Sequence, residues 1–187
     1  MGSGGTGTPL QTVDYQYNVR GWLTDINDIN SMGADLFAFK MGYNTVSNNM
    51  NGLVSPLYNG NISETKWLSA ADNIVRKYGY KYDKLSRMTV SFYQKPGQIA
   101  VDAGSYNENV SYDKNGNIRC ITLTGGVDDY NTTVQISLYT YKANSNRLDN
   151  VHDYSTSPQG FRDYEDFQHL DYSYDDNGNL KTDKIKV

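Results

Sequence analysis

One short phrase recurs six times in this chain: tyrosines two apart, an Asp or Asn, a few turn-forming residues, then Gly or a substitute, a polar residue and an aliphatic one. The clearest copies are Tyr172-Ser173-Tyr174-Asp175-Asp176-Asn177-Gly178-Asn179-Leu180 and Tyr112-Asp113-Lys114-Asn115-Gly116-Asn117-Ile118. Tyr15-Gln16-Tyr17-Asn18-Val19-Arg20-Gly21-Trp22-Leu23 follows them, and Tyr80-Lys81-Tyr82-Asp83-Lys84-Leu85-Ser86-Arg87-Met88 has Ser at the glycine position. Two copies are altered: Tyr58-Asn59-Gly60-Asn61-Ile62 is shorter, and Tyr139-Thr140-Tyr141 through Arg147-Leu148, with Asn146 in its turn, is longer. Repetition constrains the fold more than any other signal, because a unit this small cannot bury its apolar face alone and must stack on its neighbours.

Each unit reads as a β-hairpin. Asp or Asn at the first turn position (Asn18, Asp83, Asp113, Asp175) accepts a hydrogen bond from its own backbone two residues on. Gly three residues later (Gly21, Gly116, Gly178, with Ser86 as the substitute) takes up a left-handed conformation without a Cβ penalty. Together these predict a type I turn closed by a glycine bulge. In the short copy, Asn59-Gly60 predicts a two-residue loop with the mirror-image turn. The paired tyrosines before each turn fall on one strand face, since side chains alternate with period two.

The Tyr-Asp-x-x-Gly-Asn/Arg-Leu/Ile phrase resembles the YD-repeat or Rhs family. Anchored on Tyr17, Tyr58, Tyr82, Tyr112, Tyr141 and Tyr174, the copies lie 41, 24, 30, 29 and 33 residues apart, and irregular spacing is typical of that family. The wording Tyr17-Asn18-Val19-Arg20-Gly21-Trp22-Leu23-Thr24, and Tyr58-Asn59-Gly60-Asn61-Ile62 followed by Trp67, is similar to the large surface or secreted Rhs-type proteins of Bacteroidetes. The resemblance covers roughly residues 11–183. It implies an all-β fold in which repeated hairpins form a curved or spiral antiparallel sheet, part of a hollow shell. Such shells often enclose a toxic effector domain, while other members are surface proteins. The chain carries no recognisable closing core segment or variable effector, so the resemblance implies a stretch of shell wall, with other segments of the same shell and an enclosed domain as partners.

Composition points the same way. The chain has 17 Tyr among 187 residues, and only Glu64, Glu108 and Glu165 of its 21 acids are Glu, a bias toward turns and strands over helices. Its length allows a single domain over 11–187, with the Gly-rich residues 1–10 as an added or linker segment. A net charge of −4 argues against a nucleic-acid or anionic-membrane surface. No stretch reads as a membrane span or signal peptide, and a secreted or bacterial cell-surface location is expected. Exposed strand edges make self-association a candidate partner mode.

Strands are predicted at 62–68, 75–83, 87–94, 106–113, 117–124, 133–142, 147–154 and 169–175, with one helical turn at 69–74. Phe37, Phe39, Met41 and Tyr43 alternate as a strand does, and an Asn- and Ser-rich loop follows over 44–51.

No enzyme chemistry can be assembled from these residues, and no cofactor or metal set is expected. His152 and His169 have neither ligand spacing nor a nucleophile beside them. Cys120 alternates with Ile118 and Thr122 and reads as a small packed residue. The acids Asp163, Glu165, Asp166, Asp171, Asp175 and Asp176 read as a solvated loop, with Ca²⁺ as the alternative. Asn61, Asn109 and Asn131 begin glycosylation sequons. The one alternative function with a mechanism is carbohydrate binding or adhesion, with Trp22 and Trp67 as flat stacking faces. Against it stands the reading of the same rings as a ladder of cross-strand contacts within the sheet.

Overall fold

The computed structural model describes residues 11–47, 52–94, 104–127, 130–159 and 170–185. It is all-β, without a helix among these residues: β1 (Tyr15–Tyr17), β2 (Leu23–Ile26), β3 (Phe37–Gly42), β4 (Glu64–Ser69), β5 (Arg76–Tyr82), β6 (Met88–Gln94), β7 (Glu108–Tyr112), β8 (Ile118–Val127), β9 (Tyr130–Tyr141), β10 (Leu148–Asp153), β11 (Tyr172–Tyr174) and β12 (Leu180–Asp183). Strands β1 to β10 follow chain order in one antiparallel sheet, and β11 pairs with β12 in a second. Consecutive antiparallel pairing is what short hairpin turns dictate, because a parallel neighbour would need a long crossover.

Two compact units are distinguished, residues 1–79 with 94–101 and residues 80–93 with 102–187, where the sequence reads one domain over 11–187. In the first unit the apolar core is small: Ile29, Ala38 and Leu68, with Met32 and Val75 packed against them. Beside it lies a buried polar group. Glu64 accepts from the Ser47 backbone amide and hydroxyl, and the ammonium groups of Lys66 and Lys77 lie 3.5 and 3.6 Å from its carboxylate. Burial pushes the Lys77 amine below its ordinary pKa while Glu64 opposes the shift. Gly42 makes this packing possible, since a Cβ there would meet the Thr45 carbonyl at 2.7 Å and Glu64 Cγ at 2.9 Å.

Among the described residues of the second unit the buried apolar side chains are Tyr93, Val110 and Val151, one each on β6, β7 and β10. Asp171 is also buried, and its carboxylate accepts the Val151 amide at 2.8 Å while its own amide donates to the Asp149 carbonyl at 3.0 Å. These bonds attach the β11–β12 hairpin beside β10. A buried carboxylate is tolerable where backbone donors satisfy it.

The expected strands are present with shifted ends, and so is the single helical turn at 69–74, closed by Asn73 N donating to Ser69 O at 2.9 Å and ended by a left-handed Asn73 at φ 53°. Two features differ from the sequence reading. Leu180–Asp183 forms a strand that the sequence did not single out. The short copy is not a hairpin: no strand borders Asn59-Gly60, and only Gly60, at φ 99°, is left-handed. A mirror-image turn needs two left-handed residues. Instead Asn59 Oδ1 accepts Asn61 N in an Asx turn. Residues 1–10 and 48–51, the latter part of the expected Asn-rich loop, lie outside the described residues.

Candidate functional site

The repeated turns share one construction. Asp113 N donates to Asn117 O at 2.9 Å and Gly116 N to Asp113 O at 3.2 Å, while the Asp113 carboxylate accepts the amides of Asn115 and Asn117. Asn18 serves the same role with Arg20 N and Trp22 N, Asp83 with Leu85 N and Arg87 N, and Asp175 accepts from Asn179 N. The fourth position is left-handed in each: Gly21 at φ 76°, Ser86 at 62°, Gly116 at 92° and Gly178 at 87°. A register shift in the β1–β2, β7–β8 and β11–β12 pairs marks the bulge that closes the turn.

In the longer copy the left-handed residue is Asn144, at φ 57°. The extra residue leaves Asn146 beyond that position, and its side-chain oxygen accepts from Asn115 Nδ2 and Asn117 Nδ2 of the previous turn. With Asn144 and Ser145, Asn115 and Asn146 line an open polar hollow of about 650 Å³.

Side-chain bonds hold the first-position acids ionised. The guanidinium of Arg87 at Asp83, the amide of Asn117 at Asp113 and the amide of Asn179 at Asp175 each lower the carboxyl pKa, helped by the turn amides.

A second regularity joins one hairpin to the one before it. The phenol of the last tyrosine before a turn donates to the backbone carbonyl of the first strand residue after the preceding turn. Tyr112 reaches Met88 O at 2.7 Å, Tyr141 reaches Ile118 O at 2.7 Å and Tyr174 reaches Leu148 O at 3.0 Å. In the first unit Tyr43, which belongs to no copy of the phrase, makes the same bond to Leu23 O at 2.9 Å.

A third regularity concerns the residue just past the turn. Arg87 lies 4.5 Å from the Tyr112 ring centroid and Arg147 lies 5.8 Å from that of Tyr174. A Cβ on Gly116 would be 3.8 Å from the Arg87 guanidinium, and one on Gly178 3.8 Å from that of Arg147. Trp22 occupies the corresponding position in the first copy, and a Cβ on Gly60 would touch its ring at 3.3 Å. The glycine of one turn therefore receives the flat side chain that follows the turn before it. Sequence reasoning missed this position because Trp22, Arg87 and Arg147 share shape and placement without sharing chemistry.

Trp22 is half-buried, with Gly60 against its ring, Tyr43 tilted at 44° and 5.1 Å away, and the Arg20 guanidinium 5.1 Å from its centroid. The cleft at its edge, bordered by Tyr43, Leu57 and the exposed Tyr58, holds about 140 Å³. Trp67 is also half-buried. It pairs across strands with Phe39 and stacks on Tyr78 at 5.7 Å and 18°.

Among the described residues no group of three or more His, Cys, Asp or Glu could hold a metal ion. Asp171 and Asp175 spend their carboxylates on backbone amides, and Asp163, Glu165, Asp166 and His169 lie outside the described residues. His152 stands edge-on to Tyr154 at 4.6 Å, and Cys120 Sγ is 3.9 Å from the Thr122 hydroxyl. No helix of the described residues is long and apolar enough to cross a membrane. A scan of protein-family models and a search of curated proteins give no match to the chain.

Proposed function

We propose that this chain is a non-catalytic structural segment of a large secreted or cell-surface Rhs/YD-repeat protein, a piece of shell wall that encloses or displays another domain. The observation that carries this reading is the recurrence of one inter-hairpin joint, phenol to carbonyl, at Tyr112, Tyr141 and Tyr174. Side chains that a binding site would aim at a ligand are here aimed at the neighbouring hairpin. Ladder-like stacking of units that each contact only their neighbours suits an extended wall.

The competing function is a carbohydrate-binding module built on Trp22. The cleft there is smaller than the roughly 300–1,000 Å³ of ordinary small-molecule sites, and the Trp22 ring is already in contact with Gly60 and Tyr43. The two readings separate in one paired experiment on Trp22→Ala: denaturant unfolding beside a glycan-binding screen. As part of the ladder, half-buried Trp22 should cost about 2 kcal/mol on truncation, below the ~3–5 kcal/mol of a fully buried aromatic, and neither protein should bind glycans. Saturable glycan binding in the wild type that Trp22→Ala abolishes, with unfolding unchanged, overturns the structural reading.

A further inference from the structure

Three Asn-Gly pairs lie among the described residues, Asn59-Gly60, Asn115-Gly116 and Asn177-Gly178, and one of them has different surroundings from the others. All three asparagines are exposed, so water reaches each alike. In the two hairpin turns the glycine amide is occupied: Gly116 N donates to Asp113 O at 3.2 Å and Gly178 N to Asp175 O at 3.0 Å. The Gly60 amide, which no hairpin turn closes over, has no hydrogen-bond acceptor among the described residues. The side chains differ as well. Asn59 Oδ1 accepts Asn61 N at 3.1 Å, whereas the side-chain oxygens of Asn115 and Asn177 receive no donor among the described residues. A fourth pair, Asn51-Gly52, has its asparagine outside the described residues.

We infer that Asn59 is a site of spontaneous self-modification, in which the Gly60 amide nitrogen attacks the Asn59 side-chain carbonyl carbon and closes a succinimide ring. The new bond joins Gly60 N to Asn59 Cγ, the Cγ–Nδ2 bond breaks, and ammonia leaves in place of the proton that Gly60 gives up to water. Water then opens the ring at either carbonyl, giving Asp from one and isoaspartate from the other. Ammonia is exchanged for water overall, with no oxidant or reductant. Gly60 N can lose its proton without first losing an acceptor, and glycine has no Cβ to obstruct the approach. The Asn61 amide stabilises the negative charge that builds on Asn59 Oδ1 as the nitrogen adds, as preorganised backbone donors do at an oxyanion. In the hairpin turns the same attack must first break the bond that closes the turn. The product matters for Trp22. Isoaspartate lengthens the main chain by a methylene beside Gly60, which packs so closely on the Trp22 ring that a Cβ there would lie 3.3 Å from it. Modification therefore loosens a ring that the unmodified chain holds in place. This chemistry does not depend on the shell reading.

Ageing the purified chain in mildly alkaline buffer, folded and in urea, with peptide mapping by tandem mass spectrometry, tests the inference. In the folded chain Asn59 should convert about tenfold faster than Asn115 or Asn177, the factor that one hydrogen bond can supply, and should give two products of equal mass. In urea, where all three glycine amides are free, the rates should converge. Tryptophan emission should move to longer wavelength as Asn59 converts, and should stay constant in Asn59→Gln, whose longer side chain cyclises slowly. Equal rates at the three sites in the folded chain overturn the inference. So does a gap that persists in urea, since neighbouring residues and not the fold would then set the rate. A single product, Asp alone, would mean direct hydrolysis and rule out the ring. Unchanged emission while isoaspartate accumulates would rule out the release of Trp22.

Discussion

The phenol of Tyr112 donates to the backbone carbonyl of Met88 at 2.7 Å across 24 residues of chain. Arg87, next to Met88, lies over the same ring and also reaches the Asp113 carbonyl at 3.3 Å. One hairpin thus grips the next through its tyrosine edge, ring face and turn backbone together. Since the Arg87 guanidinium is also paired with Asp83 at 2.6 Å, the turn of the first hairpin is braced by the same side chain that clasps the second.

Replacing a turn glycine should show what each rung requires. Gly116→Ala and Gly178→Ala add a Cβ at a left-handed position and should each cost about 1 kcal/mol or slightly more. Gly60→Ala should cost more, because its Cβ would also press on the Trp22 ring at 3.3 Å. Ser86→Gly should be neutral or stabilising, since Ser86 already bears the strain at φ 62°. Urea denaturation of the four variants decides the order, and a destabilised Ser86→Gly would contradict it.

Acid should loosen the turns. Asp83, Asp113 and Asp175 have folded pKa values below their ordinary one, held there first by side-chain bonds from Arg87, Asn117 and Asn179. Their contribution is present above the unfolded-state pKa of about 4 and is lost as pH falls through the lower folded values. The unfolding midpoint in urea should therefore drop below about pH 4. Asp113→Asn should flatten that dependence while keeping the turn, because Asn18 builds the same turn in the first hairpin.

Alkali should act on the tyrosines. Burial raises the phenol pKa of Tyr82, Tyr112, Tyr139, Tyr141 and Tyr172. A raised folded value means stability is complete below the unfolded-state pKa of about 10 and declines as pH climbs through the folded values. Ultraviolet titration of tyrosinate should show these phenols ionising late and together with loss of far-ultraviolet dichroism. Free titration of all 17 tyrosines near pH 10 in a folded protein would contradict it.

The hairpins were legible because their determinants are local. Asp113 and Gly116 act within one turn, so residue type and spacing suffice to place them. The joints between hairpins were not, because a tyrosine's acceptor is a backbone carbonyl 20 to 26 residues away and any residue can supply one. Tyr43 carried a usable hint in the Tyr-Asn pair it shares with Tyr17-Asn18 and Tyr58-Asn59. Asn59-Gly60 misled in the other direction: the dipeptide suits a tight hairpin, but Gly60 serves to admit Trp22. In the longer copy one inserted residue moved the left-handed position to Asn144, an offset that no spacing rule fixes.

The most direct test of the ladder is to remove the phenol oxygens one at a time. Tyr112→Phe, Tyr141→Phe and Tyr174→Phe keep the ring and delete only the bond to the preceding hairpin. Measured by urea unfolding with native-state hydrogen exchange, each should lose about 1 kcal/mol, and amide protection should fall on both hairpins that the missing bond joined. If the three variants unfold like the wild type with unchanged protection, the phenol-to-carbonyl joint does not hold the hairpins together, and the ladder account fails.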